Sequence, residues 1–329
     1  MAESVEEAGG RAAQSAGTLR DYLAIARFDH STKHVLIVPG IVLAYVLRGV
    51  HTPSLVLSIV AGFAAAICVA SANYVINEWL DRHFDKFHPT KSKRSAVQKT
   101  LKREYVLVEW AAFLCIGFAC AYAASTTMLV IAMLFALQGV FYNIRPMRTK
   151  DKAYLDVISE SVNNPLRLMM GWAMVDATTL PPSSILALYW SGGAYLMAAK
   201  RLSEYREIVA SHGKDLLARY RMSFASYSEA TLTVSCLVYA LMSSFFLSVF
   251  LVKYRIEYVL VAPIVIALFG YYLLLSMKPG SSAQSPEKLV HEHGLMLLVG
   301  LLAVSFLVLT FVNIPALEGL ASQKFIRVP

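Results

Sequence analysis

Charged residues are scarce in this chain: Asp, Glu, Lys and Arg make up 16% of its 329 residues, against roughly 25% in soluble globular domains. With 57% hydrophobic residues and a mean hydropathy of +0.54, a soluble domain is excluded. Cysteine is equally sparse. Cys68, Cys115, Cys120 and Cys236 all lie in apolar runs without metal-ligand spacing, which argues against a zinc site and makes them small core residues. The apolar runs are continuous rather than alternating, so a β-barrel is not expected. The first residues, MAESVEEAGGRAAQSAG, lack the apolar core of a cleavable signal peptide. The chain also offers no obvious catalytic histidine. His291-Glu292-His293 misses the spacing of the helical zinc pattern, in which two His stand four apart, and reads as an interfacial cap.

The sequence does hold about nine stretches that meet the requirement of about 20 mostly apolar residues for a helical span. They lie near 34–50, 54–81, 104–124, 126–143, 153–175, 183–201, 223–252, 257–277 and 293–314. The expected fold is therefore an all-α, polytopic membrane bundle, with residues 1–20 as a disordered tail and 21–329 as one transmembrane domain. The net charge of +8 does not indicate nucleic acid, because the basic residues segregate. They precede the first expected span and follow the second, fourth, sixth and eighth; only Arg48, Lys253, Arg255, Lys324 and Arg327 fall on the other side. By the positive-inside rule the N-terminus and the long basic loops face the cytoplasm, as in a bacterial inner membrane protein.

The most informative stretch runs from Asn73 to Arg94, NYVINEWLDRHFDKFHPTKSKR. On a helix, Asn73, Asn77, Asp81 and Asp85 are four residues apart and share one face. Oxygen ligands so placed suit Mg²⁺, which sits between one or two carboxylates and the phosphate oxygens of a substrate. Asp81 and Asp85 could hold the metal with Asn77 orienting it, or the stripe could simply solvate the end of a membrane helix. His88-Pro89 then stops the helix, and a basic loop at 86–103 follows. Lys91 and Arg94 lie in it, and Arg94 is the better phosphate ligand because guanidinium binds phosphate bidentately.

Further clusters stand at other span ends. Arg27 and Lys33 precede the first span as interfacial anchors or phosphate ligands, and Tyr142, Arg145, Arg148 and Lys150 follow the fourth. The fifth span, DKAYLDVISESVNNPLRLMMGW, is too polar to face lipid. Asp156 and Glu160 are followed by Asn163, Asn164 and Arg167; the ionisable ones would each cost about 2.5–3.5 kcal/mol at membrane depth, so they should face a wet cavity or one another. Pro165 is expected to bend this span. Lys200 and Arg201 close the sixth, completing a cytoplasm-facing funnel with carboxylates at its centre. Glu229 is an isolated carboxylate without a visible partner.

Two acidic helix ends, each followed by a basic loop, within about nine spans resemble the UbiA superfamily of intramembrane transferases. The family's Asn-Asp-x-x-Asp-x-x-x-Asp motif corresponds to Asn77-Glu78-Trp79-Leu80-Asp81-Arg82-His83-Phe84-Asp85, with Glu in place of the first Asp. His88-Pro89-Thr90-Lys91, Arg27/Lys33, Leu155-Asp156-Val157 followed by Arg167, and MAAKRLSEY around Lys200-Arg201 are similar to the decaprenyl-phosphate phosphoribosyltransferase branch. Arg94-Ser95 replaces that branch's usual Arg-Pro, and Asp156/Glu160 is similar to the second acidic motif of ordinary prenyltransferases.

The resemblance implies Mg²⁺ and a polyprenyl lipid substrate in a membrane-lipid setting. The leading expectation is phosphoribosyl transfer from phosphoribosyl pyrophosphate to a polyprenyl phosphate; prenyl transfer from a prenyl diphosphate is the alternative. Asp81, Asp85 and Asp156 are the expected catalytic residues, the last orienting ribose hydroxyls or the groups that surround them. Asn73, Arg27, Lys33, Lys91, Arg94, Tyr142, Arg148, Lys150, Glu160, Asn164, Arg167, Lys200 and Arg201 are the expected substrate contacts. A non-catalytic lipid-binding protein or transporter would instead tolerate loss of Asp81 and Asp85, and the inverted repeats with broken helices that mark transporters are not apparent in the sequence.

Overall fold

The computed structural model describes residues 15–284 and 286–322, almost all of them helical. Residues 1–14 of the expected tail lie outside the described residues. Residues 15–20 are held in place: Gly17 N–H donates to Thr100 O (3.1 Å) and Thr100 N–H to Ser15 O (3.2 Å), and helix α1, Leu19–Ile25, begins directly after. A 3₁₀ segment, Phe28–Ile37, leads into α2, Val38–Arg48, where Pro39 occupies the first turn, a position whose N–H needs no helical partner.

Helix α3, Leu55–Asp85, is the longest. Ser54 caps its start by accepting from Leu57 N–H, and Pro89 four residues past its end prevents continuation. Its buried side is built from small residues, Ala61, Gly62, Ala65, Ala66, Ala70, Ser71 and Ala72. In a membrane, where lipid is as apolar as leucine, such residues let helices approach closely. α3 packs against α5, Arg103–Ala124, and α6, Thr126–Asn143; the short α4, Ser95–Gln98, lies in the intervening loop. Ser125 turns α5 into α6 and caps the latter through Met128 N–H (3.0 Å).

The fifth expected span is two helices, α7, Leu155–Ser161, and α8, Asn163–Val175. The break has a local cause: Pro165 cannot donate to the carbonyl of Ser161, where α7 ends. Helix α9, Ser183–His212, carries the sixth span well past its expected end. It packs on α11, Glu229–Tyr254, with α10, Lys214–Tyr220, between them. Helices α12, Ala262–Met277, α13, His293–Phe311, and α14, Pro315–Ser322, complete the chain.

Among the described residues six helical stretches are long and apolar enough to cross a membrane: α3, α5, α6, α11, the stretch Ile256–Met277 and α13. The protein is an integral, multi-pass membrane protein. The expected spans at 34–50, 153–175 and 183–201 are not among the six. The first two are interrupted, and the apolar residues of the third are diluted by Ser, Gly, Tyr and Trp.

Helices α2 and α8 meet across two glycines. A Cβ on Gly171 would strike the carbonyl of Ile37, and one on Gly40 the carbonyl of Leu168. Neither obstacle is a side chain that can rotate away. Gly171→Ala is therefore expected to push the helices apart and destabilise the bundle by about 1–3 kcal/mol, measured as a lower melting temperature in detergent; an unchanged melt would show that the crossing tolerates separation.

Candidate active site

The carboxyl end of α3 opens into a cavity of about 290 Å³. From α3 come Tyr74, Asn77, Glu78, Asp81 and Asp85, successive turns of one face. Opposite them stand Arg27 and Lys33 from the N-terminal segment, Thr90, Lys91 and Arg94 from the loop after α3, and Tyr142 from α6. Glu160 from α7, Met197, Lys200 and Arg201 from α9, and Tyr220, Arg221 and Gln284 complete the wall. Arg27 sits at a left-handed backbone position (φ 53°), a strained conformation for a side-chain-bearing residue that turns the chain between α1 and the 3₁₀ segment.

Each carboxylate of the α3 stripe already faces a cation. Arg94 Nη1 donates to Asp85 Oδ2 (2.6 Å), and its Nε lies 3.9 Å from Glu78, as Arg27 Nε does at 4.0 Å. Asp81 Oδ1 accepts from Lys150 Nζ (2.6 Å) and Arg148 Nη2 (2.9 Å). Arg148 and Lys150 stand behind Asp81 rather than on the cavity wall. Arg148 is anchored by Asp151 (2.7 Å) and Asn143 O (3.0 Å), and Lys150 by Asn143 Oδ1 (2.7 Å). Burial pushes the Lys150 ammonium down to about 8, against the pull of Asp81.

Among the described residues no three His, Cys, Asp or Glu side chains form a ready-made metal cage. The donor chemistry still fits Mg²⁺. The ion takes hard oxygens, commonly only one or two of them protein carboxylates, the rest coming from phosphate and water. Asp81 and Asp85, with Asn77 and Glu78 beside them, present such oxygens to the cavity.

Asp156 is elsewhere. It is fully buried and accepts from Arg201 Nε (3.1 Å), Arg221 Nη1 (3.2 Å), Ser223 Oγ (3.1 Å) and Tyr227 Oη (2.7 Å). No substrate hydroxyl reaches it; its task is to hold Arg201 and Arg221, both of which line the cavity. Four helical residues advance about 40° beyond a full turn and about 6 Å along the axis, so Asp156 and Glu160 share a face of α7; Glu160 lines the cavity one turn farther on, while Arg201 and Arg221 cover Asp156. Asn164 is also displaced from the expected site. It borders an apolar groove of about 390 Å³ with Leu36, Gly193, Leu196, Phe269 and Leu295. Asn73 donates to Phe135 O (3.0 Å), and with Arg167 lines a smaller inner recess that shares Tyr74, Asn77, Tyr142 and Glu160 with the main cavity.

The loop after α3 is pinned to α9 by a residue of the MAAKRLSEY stretch that local spacing does not single out. Glu204, buried, accepts from His88 Nε2 (3.2 Å) and Arg201 Nη1 (3.2 Å) and lies 3.6 Å from Lys91 Nζ. His88 Nδ1 accepts from Thr90 N–H (3.2 Å) and Lys91 N–H (3.3 Å), so its proton is on Nε2. Burial lowers both His88 and Lys91 below their ordinary ranges, opposed by Glu204. Arg221 and Tyr220 also escaped the sequence reading; Arg221 registered only as one more basic loop residue, and Gln284 left no local signal.

A model of the UbiA prenyltransferase family matches residues 36–289. Similar curated proteins include the Protoheme IX farnesyltransferase of Geobacillus sp. (strain WCH70), 25% identical over 148 residues, 44% of this chain and 47% of that protein. Nodulation protein NoeC of Azorhizobium caulinodans is 26% identical over 163 residues, 49% of this chain and 51% of that protein. The chain thus spans about half the length of the curated relatives it matches. A UbiA homolog from Archaeoglobus fulgidus bound to DMAPP and Mg²⁺ superposes with TM-score 0.65 at 18% identity, covering 89% of this chain and 100% of that one. A digeranylgeranylglyceryl phosphate synthase structure gives TM-score 0.60 at 15% identity, over 88% and 97%. At these identities the two structures establish the fold.

Proposed function

The chain belongs to the UbiA prenyltransferase family, and from that premise we propose that it is a Mg²⁺-dependent transferase moving a phosphoribosyl group from phosphoribosyl pyrophosphate to a polyprenyl phosphate. The observation that carries this choice within the family is charge. Seven cationic side chains, Arg27, Lys33, Lys91, Arg94, Lys200, Arg201 and Arg221, share the cavity with four carboxylates, Glu78, Asp81, Asp85 and Glu160. That excess suits a donor with a phosphate beyond its diphosphate, and Met197 is the one purely aliphatic wall residue. The apolar groove one turn away on α9, at Leu196, offers the lipid chain a place outside the polar chamber. The positive-inside pattern supports a cytoplasmic opening.

In this reading Arg27 and Arg94 draw the diphosphate to the α3 carboxylates. Lys91, Lys200, Arg201 and Arg221 take the remaining phosphates. An acceptor phosphate oxygen attacks the anomeric carbon as the bond from that carbon to the diphosphate oxygen breaks, the electron pair leaving with pyrophosphate. The acceptor is already anionic, so no general base is required. A divalent ion bound at Asp81 and Asp85, with Asn77 adjacent, would neutralise the leaving group's growing charge.

A second reading, prenyl transfer from a prenyl diphosphate, draws support from the farnesyltransferase relative and the DMAPP-bound homolog. The two part in one assay. Purified protein with Mg²⁺, labelled phosphoribosyl pyrophosphate and polyprenyl phosphate is expected to yield lipid-linked label. No such label, with product formed from a prenyl diphosphate and an aromatic acceptor, would establish the second reading instead.

A further inference from the structure

Behind the cation-rich cavity, the recess of about 50 Å³ between α3, α6, α7 and α8 has a different chemistry. Arg167, 6% exposed, makes no ion pair among the described residues; it donates weakly to Asn163 O (3.4 Å) and lies over the Phe135 ring at 5.1 Å. Its Nε and the Oδ1 of Asn163 are buried without hydrogen-bond partners. Across the recess the half-buried Glu160 makes no hydrogen bond or ion pair among the described residues, and Asn77 joins it on the wall shared with the outer cavity. No lysine lines this space.

Orphaned buried donors and acceptors are costly unless something satisfies them. An anion would satisfy Arg167 but meet Glu160; an apolar chain would satisfy neither. A hydroxyl both donates and accepts, and so can bridge a carboxylate or amide oxygen to a guanidinium. The volume admits a few atoms of water size, which fits a pair of neighbouring hydroxyls and not a ring or a lipid. We propose that this recess is a hydroxyl-recognition subsite, seating the sugar hydroxyls of a donor whose phosphates occupy the outer cavity. It rests on the phosphoribosyl reading and gives to Glu160, Asn163 and Arg167 the role that Asp156, buried behind Arg201, cannot perform.

The test is calorimetric titration of the full-length protein in detergent with two probes, each in Mg²⁺ buffer: phosphoribosyl pyrophosphate and inorganic pyrophosphate. Glu160→Gln and Asn163→Leu, both close in size to the native residue, are expected to weaken phosphoribosyl pyrophosphate about tenfold while pyrophosphate affinity stays within about twofold. Retained pyrophosphate binding reports an intact fold in the same sample. If the variants weaken both probes alike, or neither, the subsite assignment is overturned, the second result meaning that the recess holds water only. If the native protein binds pyrophosphate but shows neither binding nor transfer of phosphoribosyl pyrophosphate, the functional reading beneath the assignment falls instead.

Discussion

Asp81→Asn and Asp85→Asn are each expected to lower turnover at least a hundredfold, the scale set by losing one preorganised electrostatic group aimed at developing charge, while the fold survives. The asymmetry follows from what each carboxylate holds. Without the Asp81 charge, Arg148 keeps Asp151 and Asn143 O, and Lys150 keeps Asn143 Oδ1. Without the Asp85 charge, Arg94 keeps Glu78 at 3.9 Å. The structural loss is that of a hydrogen bond to a charged group, about 1.5–3 kcal/mol, partly recovered by the amide. The catalytic loss is larger in the proposed mechanism because Asp81 and Asp85, both on the cavity wall, are the carboxylates it assigns to the Mg²⁺–diphosphate. Turnover at saturating donor, a Mg²⁺ titration and a thermal melt should be measured on the same preparations. Both variants should need more Mg²⁺ and melt only a few degrees lower; full turnover in both would remove the metal site from the mechanism and favour a protein that only binds lipid.

That contrast between function and support was only partly legible in the sequence. The α3 stripe was readable because helical spacing alone puts Asn77, Asp81 and Asp85 on one face, and the cavity confirms that all three reach it. The all-helical membrane fold followed from continuous apolar runs. The break at Val162 was implied by Pro165, though not that it would split one span into two helices. For Asp156 two roles stayed open, contact with ribose hydroxyls or support of neighbouring groups, and its burial against Arg201 and Arg221 fits the second. Asp156 and Glu160 look equivalent along a helix, and what separates them is the approach of α9 and the Met222–Ser226 turn, long-range packing that no local pattern encodes. Glu204 was hidden for the same reason: on α9 it is one acidic residue after two basic ones, and its importance arises only when the loop carrying His88 and Lys91 folds back onto it. Asn164 shows the converse. Its polar character suggested a place in the charged chamber, yet it borders the apolar groove, close against Gly193, where a substrate contact would be with a lipid chain.

Asp156→Asn should therefore behave opposite to Asp81→Asn: the protein itself, and not merely its turnover, is expected to fail. The native carboxylate accepts four side-chain hydrogen bonds, two from the guanidiniums of buried Arg201 and half-buried Arg221. An amide offers one acceptor oxygen, presents an NH₂ to donors, and carries no charge. Arg201 would retain Glu204, but Arg221 would lose the only carboxylate with which it pairs among the described residues. Breaking one partner of a buried ion pair costs about 3–5 kcal/mol because the other charge is left uncompensated, a large share of the stability of most proteins. The measurement is the folded fraction and melting temperature in detergent. A double-variant cycle separates this cause from lost packing. Adding Arg221→Met to Asp156→Asn removes the stranded charge, so the pair should be less destabilising than the sum of the single variants by about 0.5–3 kcal/mol. Strict additivity would mean that Asp156 and Arg221 contribute through independent contacts, and that the alternation from Glu204 through Arg201 and Asp156 to Arg221 does not act as one electrostatic unit holding the cavity arginines in place.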